Sequence, residues 1–199
     1  MRDASHSSHG ARRPPAVRPL SALTAAAAAT HHLFERSAGL GLPLQPFLGR
    51  RGSEILWSLA LPAWALGSLT RRRTTPLLAA ANGASAATVT VHYTEWPSRR
   101  RGLLPVLTAA EGLPEHALGP YNAILITWGA AAVAALLCET RPGERLAAAA
   151  GLAGFWPARA LARHHYRWLA SRRLDALVGP CSIVTASPTA TVPGVSTDP

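Results

Sequence analysis

Two His-x-x-Glu pairs occur in this chain, His32 with Glu35 and His92 with Glu95. Three residues apart, an imidazole and a carboxylate share one face of a helix. Such pairs can pass protons or hold a metal ion. The order is the reverse of the Glu-x-x-His used by carboxylate-bridged metal sites in helix bundles, so the pairs supply ligand types rather than a known site. His92 and Glu95 also close a polar stripe in which Ser85, Thr88, His92 and Glu95 follow one another at offsets of three, seven and ten. His32, Glu35, His92 and Glu95 form the candidate metal set, and His92, Glu95 and His165 the candidate catalytic set. In the catalytic reading the imidazoles carry protons or ligate and the carboxylates partner them. Neighbours on a helix diverge by about 100°, so His31-His32 and His164-His165 are expected to give at most one ring each to a shared site.

Tyr121 and Asn122 are the candidate cofactor contacts. A plainer role for Asn122, and for Asn82, is a helix cap or a bond between helices. The plainer role for the stripe is that Ser and Thr bond back to their own helix while His92 and Glu95 sit among headgroups. His164, beside Arg163 and Arg167, reads more simply as part of a basic interface.

The elements that must position these residues are apolar. Apolar residues make up 48% of the 199 and charged residues only 15%, against roughly 25% in a soluble domain. Five apolar stretches are visible: Leu20–Ser37, Ser53–Leu69, Pro76–Glu95, Ala117–Cys138 and Leu146–Leu169. The fourth is the clearest, with about twenty uncharged residues in succession. The second contains Trp57, Trp64 and Pro62, the last tolerable in a membrane helix as a kink. In the third, Ala79, Gly83 and Ala87 at four-residue spacing predict close helix contact. The fifth turns basic, with Arg159, Arg163 and Arg167 on one face, able to snorkel towards a charged leaflet. The first meets His31, His32, Glu35 and Arg36 after only about ten apolar residues, short for a span. It is expected to lie at the interface or to be re-entrant; an alternative, a secretory h-region, lacks a convincing cleavage site.

The expected fold is therefore all-α, a polytopic membrane bundle of about four transmembrane helices with an N-terminal interfacial or re-entrant helix. Residues 1–19 read as a disordered basic segment, 20–175 as the helical membrane domain, and 176–199 as a disordered tail rich in Pro, Ser and Thr. With four spans the twenty basic residues, all Arg, divide fifteen to five. The positive-inside rule then places both termini in the cytoplasm, in a cell inner membrane. Letting the first stretch cross as well makes the division eleven to nine, with almost no bias.

The net charge of +10 raises nucleic acid as a partner. The arginines flank apolar runs as anchoring charges do, so no nucleic acid is expected. The partners expected are the lipid bilayer and either a lipophilic small molecule or another membrane protein. Two cysteines, Cys138 and Cys181, provide neither a bridge framework nor a metal-ligand spacing.

The segments His31-His32-Leu33-Phe34-Glu35, Val91-His92-Tyr93-Thr94-Glu95-Trp96-Pro97, Ala110-Glu111-Gly112-Leu113 and Ala162-Arg163-His164-His165-Tyr166 resemble those of small, uncharacterised multi-pass membrane proteins of actinobacteria. The resemblance covers roughly residues 30 to 169 and implies no activity. Two functions follow from the residues. One is a non-catalytic accessory or assembly component whose polar groups hold helices together; four short spans, with little room for an elaborate pocket, favour it. The other is a membrane-embedded enzyme or a metal- or cofactor-binding protein with a His/Glu site at the cytoplasmic end.

Overall fold

A computed structural model describes residues 17–70, 75–110 and 112–178. The tails expected to be disordered fall almost entirely outside these residues, as do Glu111 and the Arg71-Arg72-Arg73 run. The described chain is mostly helical: α1 (Pro19–Ser37), α2 (Gln45–Leu69), α3 (Thr75–Glu95), α4 (Glu115–Cys138), a 3₁₀ turn (Pro142–Glu144), α5 (Arg145–Ala153) and α6 (Phe155–Val178). Between α3 and α4 a hairpin pairs β1 (Ser98–Arg101) with β2 (Leu104–Leu107), antiparallel, with Ser98 opposite Leu107. The Arg-rich β1 strand gave no apolar alternation from which to expect it.

α1 does not lie across the end of the bundle. It runs antiparallel to α4 along its length. At one end, here the lower, the Glu139 carboxylate that follows α4 accepts from the Leu20 amide (2.7 Å), the Ser21 amide (2.9 Å) and the Ser21 hydroxyl (2.6 Å). At the upper end the Tyr121 hydroxyl, early in α4, donates to Glu35 Oε1 (2.8 Å). Glu139 thus satisfies amides that the first turn of any helix leaves without an intrahelical acceptor. The interfacial placement expected for this segment rested on its polar residues. Of those residues His31, His32 and Glu35 are buried in the bundle, with His31 1% and Glu35 6% exposed, while Arg36 is exposed.

The other helices alternate in direction around this pair. The Arg18 amide donates to the Ser68 carbonyl, which sets the end of α2 beside the start of α1. Asn82 of α3 donates to the Ser21 hydroxyl (2.8 Å). α3 and α5 run parallel in backbone contact. A Cβ on Gly83 would stand 2.9 Å from the Leu152 nitrogen, and one on Gly151 2.9 Å from the Ala84 nitrogen. The close approach expected of the Ala79, Gly83, Ala87 ridge is thus made by its central glycine, with Ala79 and Ala87 buried beside it. Gly151→Val should lower the melting temperature in detergent steeply, because overpacking two helix backbones costs on the order of 1–3 kcal/mol or more. Gly119→Ala, at a position with nothing within 4 Å, is the control and should leave it nearly unchanged. Equal behaviour of the two variants would contradict the backbone contact.

Beside an apolar core around Val89, Leu125 and Trp128, the described residues bury many polar side chains and expose many large apolar ones. Arg18, Ser21, Thr24, His31, His32, Glu35, Asn82, His92 and Glu144 are buried, whereas Ile55, Leu59 and Leu66 on α2, Leu77 on α3, Leu137 on α4 and Trp156 on α6 lie more than half exposed. Scattered exposed apolar residues are ordinary; buried polar ones need partners or a function. Among the described helices only α4 is long and apolar enough by composition to cross a membrane, and 39% of its most apolar window is buried.

Candidate functional site

The upper half of the bundle contains a cavity of about 350 Å³. α1 brings His31, His32 and Glu35 to its wall, α3 brings Ser85, Thr88 and His92, and α6 brings His165 and Tyr166. Trp57 and Trp64 of α2 and Trp128 of α4 complete it. His32, Glu35, His92 and His165, chosen from separate stretches of sequence, therefore meet around one space.

The ligand atoms of His31, His32 and Glu35 lie within 4.8 Å of one another. His31 Nε2 is 3.4 Å and His92 Nε2 3.9 Å from the same oxygen, Glu35 Oε1. Ligands held tetrahedrally at about 2.1 Å from a metal are roughly 3.4 Å apart, so His31, His32 and Glu35 are grouped at near-ligand spacing, with His92 beside Glu35 outside that close group. The expectation that only one of two adjacent histidines reaches the site is overturned for His31 and His32. Their ring centroids are 5.4 Å apart, His31 lies between the His92 and Trp128 rings at 4.9 Å from each, and His32 packs on Trp57 at 4.4 Å. The two rings diverge, yet both flank a cavity broad enough to receive each. For the other pair the expectation agrees with the geometry: His165 lines the cavity and His164 stacks on Phe47 outside it.

The imidazoles are oriented from behind. His92 Nδ1–H donates to the Thr88 carbonyl at 2.8 Å, which in the neutral ring leaves the Nε2 lone pair directed at Glu35. A ring N–H fixed by a backbone carbonyl is the usual support of a metal-ligating histidine. His165 donates through Nε2 to the Leu40 carbonyl at 3.0 Å. Among the described residues, Nδ1 of His31 and of His32 and the indole N–H of Trp64 and Trp128 have no hydrogen-bond partner. Buried polar atoms without partners are uncommon, and four on residues lining one cavity mark it as a place built to hold something.

Tyr121 contacts the centre through Glu35, as an orienting donor rather than a direct contact of the cavity. Two other candidates lie elsewhere. Glu95, ten residues along the stripe from Ser85, reaches α6, where Arg159 and Arg163 Nε donate to its two oxygens, the second at 2.6 Å. Asn122 fastens the hairpin to α4: its Oδ1 accepts from the Leu107 amide (2.7 Å) and its Nδ2 donates to the carbonyls of Leu107 (3.0 Å) and Leu118 (2.8 Å). The lower end holds no comparable centre among the described residues, but two acids that no sequence motif marks do structural work there. Glu139 caps α1, and Glu144 accepts from Arg18 Nη2 through both oxygens (2.7 and 2.8 Å), with both side chains 6% exposed.

No family model, curated protein or solved structure matches the chain.

Proposed function

We propose that this chain is a multi-pass membrane protein that binds a first-row transition metal ion, of the zinc or iron type, through His31, His32, Glu35 and His92. The observation that carries the metal reading is the pair of facing acceptors. In the neutral ring whose Nδ1–H is held by Thr88, His92 Nε2 faces a carboxylate oxygen that His31 also faces, in a wall where Nδ1 of His31 and of His32 have no hydrogen-bond partner. A cation between them would accept a lone pair from His31 Nε2, from His92 Nε2 and from Glu35. Imidazole and carboxylate without thiolate suit zinc, iron, copper or nickel rather than magnesium or calcium. The test is to add Co²⁺ to the metal-stripped protein in detergent. One equivalent should produce visible d–d bands that Zn²⁺ then displaces. A spectrum indistinguishable from aqueous Co²⁺ would refute the metal centre.

The membrane reading draws on the apolar α4 and on the large apolar side chains exposed on α2, α3, α4 and α6 around buried polar ones. If α4 crosses a bilayer, α1 beside it crosses too. The bundle then makes five passes: α1, α2, α3, α4, and α5 continued by α6. An odd number sets the two ends of the chain on opposite sides of the membrane, in place of two cytoplasmic termini. Placing Arg159 with Glu95 at the upper end and every other arginine at the helix end nearest it in sequence gives eleven at the upper end and nine at the lower, and eleven to nine barely orients a protein. Reporters fused before Pro19 and after Ser171 should thus report opposite sides, whereas the four-span alternative predicts the same side.

A second reading, a non-catalytic accessory component, is favoured by the polar groups that only tie elements together: Asn82 with Ser21, Asn122 with the hairpin, and Arg18 with Glu144. It predicts no cobalt spectrum and an unchanged fold when His92 is replaced.

A further inference from the structure

The cavity is longer than a metal ion needs. Its α3 wall runs from Ala81 to His92, which at 1.5 Å per residue is roughly 16 Å along the bundle. A volume of about 350 Å³ drawn out over that length makes it elongated, a tube along the bundle. One end of the tube is polar, with His31, His32, Glu35 and His92. Further along, the walls are Leu61 and Trp64 of α2, Ala81 and Ala84 of α3, and Ala158 and Leu161 of α6. The α1 and α4 side is closed, since Ala28 and Trp128 are buried. On the other side Leu61, Trp64, Ala81 and Leu161 are only half-buried and Ala84 is exposed. α2 packs along α1 and meets α3 and α6 sparsely. The tube therefore opens through the flank of the bundle, between α2 and the α3–α6 pair.

We infer that this tube binds a single-chain, lipid-soluble molecule bearing one neutral oxygen function, of the fatty alcohol or aldehyde class. Its oxygen lies at the histidine end and its chain runs towards Trp64. An elongated apolar wall with a single polar end matches a chain that carries its oxygen at one terminus. The Trp128 indole N–H, without a hydrogen-bond partner and next to His31, supplies a donor for the oxygen. A flank opening faces hydrocarbon, the phase in which such a molecule is dissolved. The inference rests on the membrane reading, which brings the ligand to the opening, and is independent of the metal.

The probe is 10-bromodecan-1-ol, whose bromine quenches indole fluorescence only at contact. Added to the purified full-length protein in detergent, it should quench saturably, and Trp64→Phe should remove most of the quenched component because the bromine ends beside that ring. Trp128→Phe should keep the quench while weakening half-saturation about fivefold, as loss of one hydrogen bond predicts. On the unaltered protein, 1-bromodecane, which lacks the hydroxyl, should bind about fivefold more weakly. Quenching that rises without saturation, is equal for both bromides, or survives Trp64→Phe would overturn the proposal. The titration is run on metal-stripped and on Co²⁺-loaded protein. Saturable quenching without a cobalt spectrum removes the metal reading and leaves the chain site standing. A cobalt spectrum with unsaturable quenching removes the chain site alone.

Discussion

Glu35→Ala should bind Co²⁺ at least about 100-fold more weakly than the parent, and Glu95→Ala should bind it equally well. Both changes delete a carboxylate one turn from a histidine, so helix propensity and net charge alter in the same way. They differ in what the carboxylate faces. Glu35 lies 3.4 Å from His31 Nε2 and 3.9 Å from His92 Nε2 inside the cavity, whereas Glu95 is held outside it by Arg159 and Arg163 of α6. Losing even an outer-shell partner commonly costs 10–100-fold in metal affinity, and loss of a ligand costs at least as much. Tyr121→Phe, which removes the hydroxyl that donates to Glu35, should fall between them at about tenfold. Titration of each variant with Co²⁺, read at the d–d bands, gives the order. Equal affinities for Glu35→Ala and Glu95→Ala would place the metal away from this cavity.

The second large effect is expected at the lower end. Glu144→Ala leaves the Arg18 guanidinium buried beside Ser68 and the start of α1 with its carboxylate gone. Removing one partner of a buried pair typically costs about 3–5 kcal/mol, because the remaining charge is left uncompensated, whereas replacing both by apolar residues of similar size is often neutral or better. Glu144→Ala should therefore show a large fall in unfolding free energy in detergent, and Arg18→Met with Glu144→Leu should regain most of it. A single variant as stable as the parent would mean that the pair is hydrated and contributes little.

The parts of this fold legible in the sequence are those that depend on one helix at a time. α4 is an uncharged run, and the Gly83 ridge of α3 carries its packing in its spacing. The inward face of Ser85, Thr88 and His92 follows from helical period alone. α1 was obscured by the same residues that make it interesting. Its inner stripe of Ser21, Thr24, His31, His32 and Glu35 lowers its hydropathy, and only the groups facing it from α3 and α4 make that stripe affordable in an apolar setting. Glu95 follows the stripe by spacing, but the arginines of α6 draw it to another neighbour. Which of two plausible partners a side chain meets is a tertiary fact, and neither spacing nor composition carries it. The hairpin, built from arginines and held through Asn122, has no period of its own from which to read it.

The Arg18–Glu144 pair and the Glu139 cap also set a schedule. Arg18 leaves the ribosome 126 residues before Glu144, and Ser21 118 residues before Glu139. At about 5–20 residues per second, the beginning of α1 waits roughly 6–25 s for the groups that will neutralise and cap it. Over that interval Glu35 has His31 on its own helix and Arg36 soon meets Glu54 of α2, but the carboxylates that will face Arg18 and cap Ser21 have not been made. The lower end of α1 takes its final contacts only when α4 and the turn after it exist. The earliest of the described helices in the chain is thus among the last to be completed.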